Sequence, residues 1–355
     1  METVFLVSPP GLEPQLLEEA LTLGVPAPKL VHGGVECRGG WEAVRRANLR
    51  SRIASRVLAR LAVFRAAGFA QLDAGLREID WRATLRPDVP VRVEGASVRS
   101  RLNHGGAVGK RVEAALQQAG LTIGPDGVRI AARLEKDTCT VSVDTSGEAL
   151  HRRGHKREVN RAPLRETLAA GFLRACGWDG TVPLLDPMCG SGTIPIEAAE
   201  IAAGLDPGRS RAFDFERLAP HDADRWAALR AQSPRPVEVA IRGSDRDEGA
   251  VAMARANAER AGVDVAFEAA PITAAPALDG PGLLLVNPPY GTRIGGRLQP
   301  LYAALGRVAR ERFAGWQVGV ITSEQDLIRA TGLNLEGGPV VAHGGLKVRL
   351  YRGVA

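Results

Sequence analysis

Apolar and polar positions follow two rhythms along the chain, and the change falls near residue 150. Beyond it, short apolar runs alternate with alanine-rich amphipathic stretches. The run 182–186 (VPLLD) predicts a strand ending in an acid, then a glycine-rich turn, then a helix over 194–203. A second strand is predicted at 237–245 (VEVAIRGSD), again ending in an acid, with a helix over 248–262 closed by glycine. Strands follow at 263–268 and at 282–287 (GLLLVN), the latter apolar throughout, as a strand covered on both faces should be. A helix over 298–313 and a strand at 316–322 complete the series. This alternation predicts a doubly wound, mostly parallel sheet. The stretch 205–236 breaks the rhythm and reads as an insertion near the site. Before residue 150, strands are predicted at 3–7, 30–36, 57–64, 90–95 and 138–144, and helices at 13–23, 41–51 and 105–119, an α+β pattern.

Composition changes this picture little. The chain is 45% hydrophobic and 24% charged, the balance of a globular protein, with no apolar run long enough for a membrane span. The first residues, with Pro9 and Pro10 early, do not read as a signal peptide. Cys37, Cys139, Cys176 and Cys189 form no C-x-x-C pair, so neither a zinc site nor a disulfide framework is predicted, and the cytoplasm is the expected compartment. No metal is expected. The net charge of +6, carried mostly by arginine, suits a phosphate-bearing partner, although an Arg- and Ala-rich coding bias accounts for the same excess.

Candidate chemistry lies in two short motifs. Asp186-Pro187-Met188-Cys189-Gly190-Ser191-Gly192-Thr193 sits between a predicted strand and a helix. Glycines there let backbone approach a ligand, and a helix N-terminus offers free N–H groups. Asp245 ends the next strand, where a carboxylate can take ribose hydroxyls. The G-x-G-x-x-G dinucleotide fingerprint is not matched, so the residues themselves read only as a site for an adenosine-containing cofactor. Cys189 lies in this loop, and packing is the expected role. The second motif, Asn287-Pro288-Pro289-Tyr290, follows the apolar strand directly. An exocyclic amine conjugated to a base is a poor nucleophile, because its lone pair is delocalised. The Asn287 amide oxygen and the Pro288 carbonyl can accept its two N–H bonds and free the lone pair, while the prolines hold both acceptors in place. Tyr290 offers a face on which an extruded base stacks. Any planar amine suits this arrangement, so adenine N6, cytosine N4, guanine N2 and a glutamine side chain stay open.

These motifs, with ETLAA at 166–170, resemble the RNA guanine-N2 methyltransferases that carry a THUMP domain. VSVDTSGEALHRRGHKR at 141–157 is similar to the end of a THUMP domain running into its linker, and PPGLEPQLLEEAL with VHGGVEC to the small ferredoxin-like domain before it. The GLE, HGGV, SRIASR, DTSG and NPPYGTR segments are most similar to the bacterial large-subunit ribosomal RNA enzymes, with the transfer-RNA enzymes next. The resemblance implies a Rossmann-like class I methyltransferase domain over 166–355, preceded by a ferredoxin-like domain over 1–55, a THUMP RNA-binding domain over 56–150 and a basic linker over 151–165. It implies S-adenosylmethionine as cofactor, held by Asp186, Gly190, Gly192 and Thr193, with Glu166 and Thr167 nearby and Asp245 on the ribose. The base would be held by Asn287, Pro288 and Tyr290, and guanine N2 of 23S ribosomal RNA is the implied target. In much of the family an acid after the third strand contacts the adenine; here Pro271 takes that place in Phe267-Glu268-Ala269-Ala270-Pro271.

The linker is rich in cations, among them Arg152, Arg153, Lys156 and Arg157, and reads as a phosphate-contacting segment beside the site, or as a solvated connector. Arg45, Arg52 and Arg56 fit one helix face and would make an RNA stripe, or a solvated one.

Overall fold

The computed structural model describes residues 3–156, 164–231, 233–278, 280–290 and 298–355. Their contacts divide into two units. One holds the chain up to Ser8, Leu17–Leu150 and Arg211–Ala231; the other holds Pro9–Leu16, His151–Ser210 and the described residues beyond 232.

Up to residue 150 the chain runs through β1 (Val4–Val7), α1 (Glu13–Thr22), β2 (Lys29–Val31), β3 (Gly34–Cys37), α2 (Gly40–Arg50), β4 (Arg56–Arg65), α3 (Phe69–Arg77), β5 (Val91–Val98), α4 (Gly105–Gln118), β6 (Val128–Glu135) and β7 (Thr138–Asp144). The seven strands form one sheet in the order β2-β3-β1-β4-β7-β6-β5. Val128, Ile130, Ala132 and Leu134 alternate along β6 and are all buried, as a strand with one covered face requires. Val108, Val112 and Leu116 recur at helical spacing on α4, which packs on β5 and β6. β4 pairs with both β1 and β7, so the boundary expected at residue 55 falls inside a continuous sheet.

The second unit runs through α5 (Glu166–Ala175), β8 (Leu184–Asp186) and α6 (Thr193–Ala202). The chain then enters the first unit for α7 (Ala223–Arg230) and returns with β9 (Ile241–Asp245), α8 (Glu248–Ala261), β10 (Ala266–Ala269), β11 (Leu283–Val286), α9 (Gln299–Arg312), β12 (Gln317–Thr322), α10 (Gln325–Thr331), β13 (Glu336–His343) and β14 (Leu346–Val354). The order is β10-β9-β8-β11-β12-β14-β13, parallel except for β14, which is antiparallel to both neighbours. From β8 the chain winds outward to β10 and then returns to the other side of β8 with β11. That reversal opens a crevice beyond the carboxyl ends of β8 and β11, where ligands of such sheets bind.

Three expectations need correction. Residues 30–36 form a hairpin, β2 and β3, rather than one strand, because Gly33 takes a left-handed φ of 79° and turns the chain. The stretch 205–236 is not a single insertion in the second unit: Arg211–Ala231 packs within the first unit. Arg211 donates to the carbonyls of Ser146, Glu148 and Ala149, and Phe215 meets Trp226 edge-on at 4.9 Å. Arg45, Arg52 and Arg56 share no helix face either. α2 stops at Arg50; Arg45 is 4% exposed and paired with Glu42, and Arg56 opens β4 with its guanidinium on Asp144 at 2.6 Å. Arg52 lies in the turn between, its backbone N–H held by Glu19 at 2.8 Å.

Candidate active site

The glycine-rich turn is fixed by hydrogen bonds from β9 and α8. Cys189 N–H donates to the Ser244 carbonyl at 2.9 Å, Gly190 N–H to the Asp245 carboxylate at 3.0 Å, and the Asn257 amide to the Ser191 carbonyl at 3.1 Å. Gly190 and Gly192 both have left-handed φ values, 53° and 85°. They serve different ends. A Cβ on Gly192 would fall about 3.0 Å from Ala254 and Ile196, so this glycine lets α6 close on α8 and β10. A Cβ on Gly190 would meet nothing within 4 Å; that face of the turn has room for a ligand.

Asp186 ends β8 and is 1% exposed, with Met188 N–H donating to it at 3.1 Å. Burial, with the Asp245 carboxylate nearby, pushes its carboxyl up to about 8. Among the described residues neither acid is ion-paired. A buried acid in this position suits an ammonium group, and the half-buried Asp245 suits hydroxyl donors. The residues therefore fit a cofactor bearing an amino-acid end and a ribose. Cys189 packs with Ile196, Val251, Ala254 and Phe267, and burial beside Asp186 and Asp245 raises its thiol far above the usual range. A thiol so disfavoured as thiolate is no nucleophile.

Thr193 begins α6 and Glu166 begins α5, followed by the buried Thr167. Lys156 joins them: its ammonium donates to Thr193 Oγ1 at 2.7 Å and to the Leu164 carbonyl at 3.3 Å, and lies 3.1 Å from Glu166. The expected phosphate contact is thus replaced by an internal one. Arg153 is also turned inward, 2% exposed and 3.2 Å from the Glu197 carboxylate on α6. Burial and Arg209 lower His155 to about 4, so it stands neutral beside Glu200 at 3.5 Å. Arg152 is exposed. Arg157 lies outside the described residues.

Asn287 leaves the end of β11, and its Oδ1 is buried with no hydrogen-bond partner among the described residues. Pro288 is buried. Tyr290 rests half-buried against the core of β11, β12 and α9, and burial pushes its phenol up to about 12. From α9, the fully buried Tyr302 donates its hydroxyl to the Pro289 carbonyl at 3.3 Å. Sequence reasoning missed Tyr302, since an aromatic at helical spacing reads as core. Pro271 precedes a single 3-10 turn, Ile272–Ala274, and Glu268 on β10 is exposed.

This geometry can be set beside known proteins. A family model described as "RMKL-like, methyltransferase domain" matches residues 153–337, more than half of the chain. The chain belongs to that family. A second model, the RlmL ferredoxin-like domain, matches residues 3–58 of this member of the RMKL-like family. A Ribosomal RNA large subunit methyltransferase K/L from Syntrophotalea carbinolica is 34% identical over 98% of this chain and 52% of its own length. The protein of that name from Aliivibrio fischeri is 35% identical over 92% of this chain and 50% of its own. The chain thus spans about half the length of the curated relatives it matches. Among solved structures, a protein assigned as a methyltransferase and complexed with SAH superposes with a TM-score of 0.88 at 27% identity, covering 100% of this chain and 98% of that one. A Listeria monocytogenes protein described as a predicted N6-adenine-specific DNA methylase gives 0.88 at 29% identity, covering 99% and 95%. The second unit is a Rossmann-like class I methyltransferase fold. Among the described residues no helix is long and apolar enough to cross a membrane.

Proposed function

We propose that the chain is an S-adenosylmethionine-dependent RNA methyltransferase acting in the cytoplasm on the exocyclic N2 amine of a guanine in 23S ribosomal RNA. The observation that carries this reading is the Asn287 amide oxygen, a buried acceptor without a partner among the described residues, at the carboxyl end of β11. A buried acceptor left open is costly, and a ligand N–H donor relieves that cost. The SAH complex of a structural relative and the ribosomal RNA named for the curated relatives support the cofactor and the substrate.

When bound, the cofactor supplies an electrophilic sulfonium methyl. Asp186 would take its ammonium and Asp245 its ribose, Gly190 would clear space beside the turn, and Glu166, Thr167, Gly192 and Thr193 would frame the pocket. Asn287 Oδ1 and the Pro288 carbonyl accept the two N–H bonds of the amine. The nitrogen lone pair is then free for in-line attack; the methyl would pass to it as its bond to sulfur breaks, leaving the cofactor as a neutral thioether. Tyr290, neutral at working pH, stacks on the extruded base. The methylated nitrogen is cationic and acidic, and its surplus proton leaves to water. We assign 56–150 to a THUMP-type module that grips RNA by shape and phosphate, with Arg52, in the domain before it, and Arg152, in the linker, as further contacts. No step calls for a metal or for a membrane.

A second reading, adenine N6, is favoured by the description of the Listeria protein, and transfer RNA remains the runner-up among RNA substrates. Treating unmodified 23S ribosomal RNA with the protein and labelled cofactor, then analysing nucleosides by mass spectrometry, separates these. N2-methylguanosine is the expected product. N6-methyladenosine, or equal labelling of duplex DNA or transfer RNA, overturns the assignment.

A further inference from the structure

We infer that Tyr302 is a positioning residue for the transfer, acting through its hydroxyl on the Asn287–Tyr290 turn; the inference rests on the reading of that turn as the amine-binding element. The phenol lies between two groups. It reaches the Pro289 carbonyl at 3.3 Å, and it lies beside the side chain of Thr322, the last residue of β12. Thr322 Oγ1 in turn accepts the Glu324 N–H at 3.2 Å. Tyr302 and Thr322 are both 0% exposed.

The direction of each bond follows from what each group can do. A carbonyl only accepts, so Tyr302 spends its single proton on Pro289. The Thr322 hydroxyl, already accepting from Glu324, is then left to donate to the Tyr302 oxygen. The run is Glu324 N–H to Thr322, Thr322 to Tyr302, and Tyr302 to Pro289, each hydroxyl polarised by the one before it. It ties the carboxyl end of β12 to the turn beyond β11.

The turn has reason to need such a tie. Pro288 and Pro289 have no backbone N–H, so two of its four residues cannot anchor it by donating. Holding the Pro289 carbonyl from α9 fixes the peptide that follows Pro289, next to the Pro288 carbonyl. It leaves Asn287 Oδ1 and the Pro288 carbonyl as the acceptors for the amine. Packing alone does not call for this hydroxyl, since phenylalanine would fill the same core space without a polar group to satisfy.

Tyr302→Phe keeps the ring and removes the tie. In the full chain, with 23S ribosomal RNA as substrate, kcat should fall at least about tenfold, while KM for RNA and Kd for the cofactor stay within about twofold. Thr322→Val should fall in the same direction and Thr322→Ser should recover. The double variant Tyr302→Phe/Thr322→Val should be no slower than Tyr302→Phe alone, because the chain is already cut. A Tyr302→Phe enzyme with normal kcat, or one whose loss tracks its melting temperature or cofactor affinity, overturns the inference. Asn287→Ala assayed alongside separates the two failures. An inactive Asn287→Ala beside a fully active Tyr302→Phe removes the positioning role alone. A fully active Asn287→Ala removes the amine-binding reading and the positioning role with it.

Discussion

The charged ends of Arg153 and Lys156 in the linker and the Asn287 amide oxygen in the turn meet opposite fates. In the linker, Arg153 and Lys156 are buried against Glu197, Glu166 and Thr193, so cations that read as RNA contacts serve the interior of the second unit. In the turn, a neutral amide oxygen is buried with no partner among the described residues. The lesson concerns how ligand groups are found. Formal charge in a sequence is not free charge in a structure, and the acceptor left open in the turn carries no charge. Removing a linker cation should therefore cost stability, whereas removing the amide should cost turnover.

The largest expected effect tests the closed side. Arg153→Met leaves the Glu197 carboxylate without this buried partner and should cost about 3–5 kcal/mol in urea unfolding. Arg153→Met/Glu197→Met should recover most of it. A stable Arg153→Met variant with weakened RNA binding would return Arg153 to the RNA surface. On the open side, Asn287→Ala should slow methyl transfer on the order of 10²-fold or more, the scale of losing one preorganised partner. Its stability should equal or exceed that of the parent, because the deleted acceptor had nothing to lose. Unfolding curves and single-turnover rates on the same preparation check both halves.

Tyr290→Ala should weaken base binding by roughly 1–3 kcal/mol through lost stacking, read as KM for RNA with cofactor affinity unchanged. Taken per pH unit, the titration of Asp186 gives the smallest effect. Asp186 is raised from 3.8 to about 8, so the folded, ligand-free protein holds this proton where the unfolded chain has released it. Its stability contribution is full below about pH 4 and is lost as pH rises toward about 8. Binding an ammonium ion expels the proton, so cofactor affinity should rise by up to about tenfold per pH unit between roughly 5.5 and 7.5. Asp186→Asn should bind weakly and flatten both trends. Calorimetry across that range checks this, and a flat wild-type profile would remove Asp186 from the ammonium site.

Much was determined by the sequence alone. The second unit was legible because its strands are short apolar runs punctuated by Asp186, Asp245 and Asn287, each at a carboxyl end where a parallel sheet places its ligands. The two motifs needed only local chemistry: glycines where φ turns positive, and a proline-held amide. The tertiary structure decided where the charges went. Arg153 and Lys156 look like surface cations as letters, and only the chain folding back on Glu197 and Glu166 shows them paired. It likewise decided the fate of Arg211–Ala231, which joins the first unit with its own cluster of Phe213, Phe215 and Trp226. It alone brought Tyr302 to Pro289, because a hydrogen bond between α9 and the turn after β11 depends on how two elements pack, which no local periodicity records.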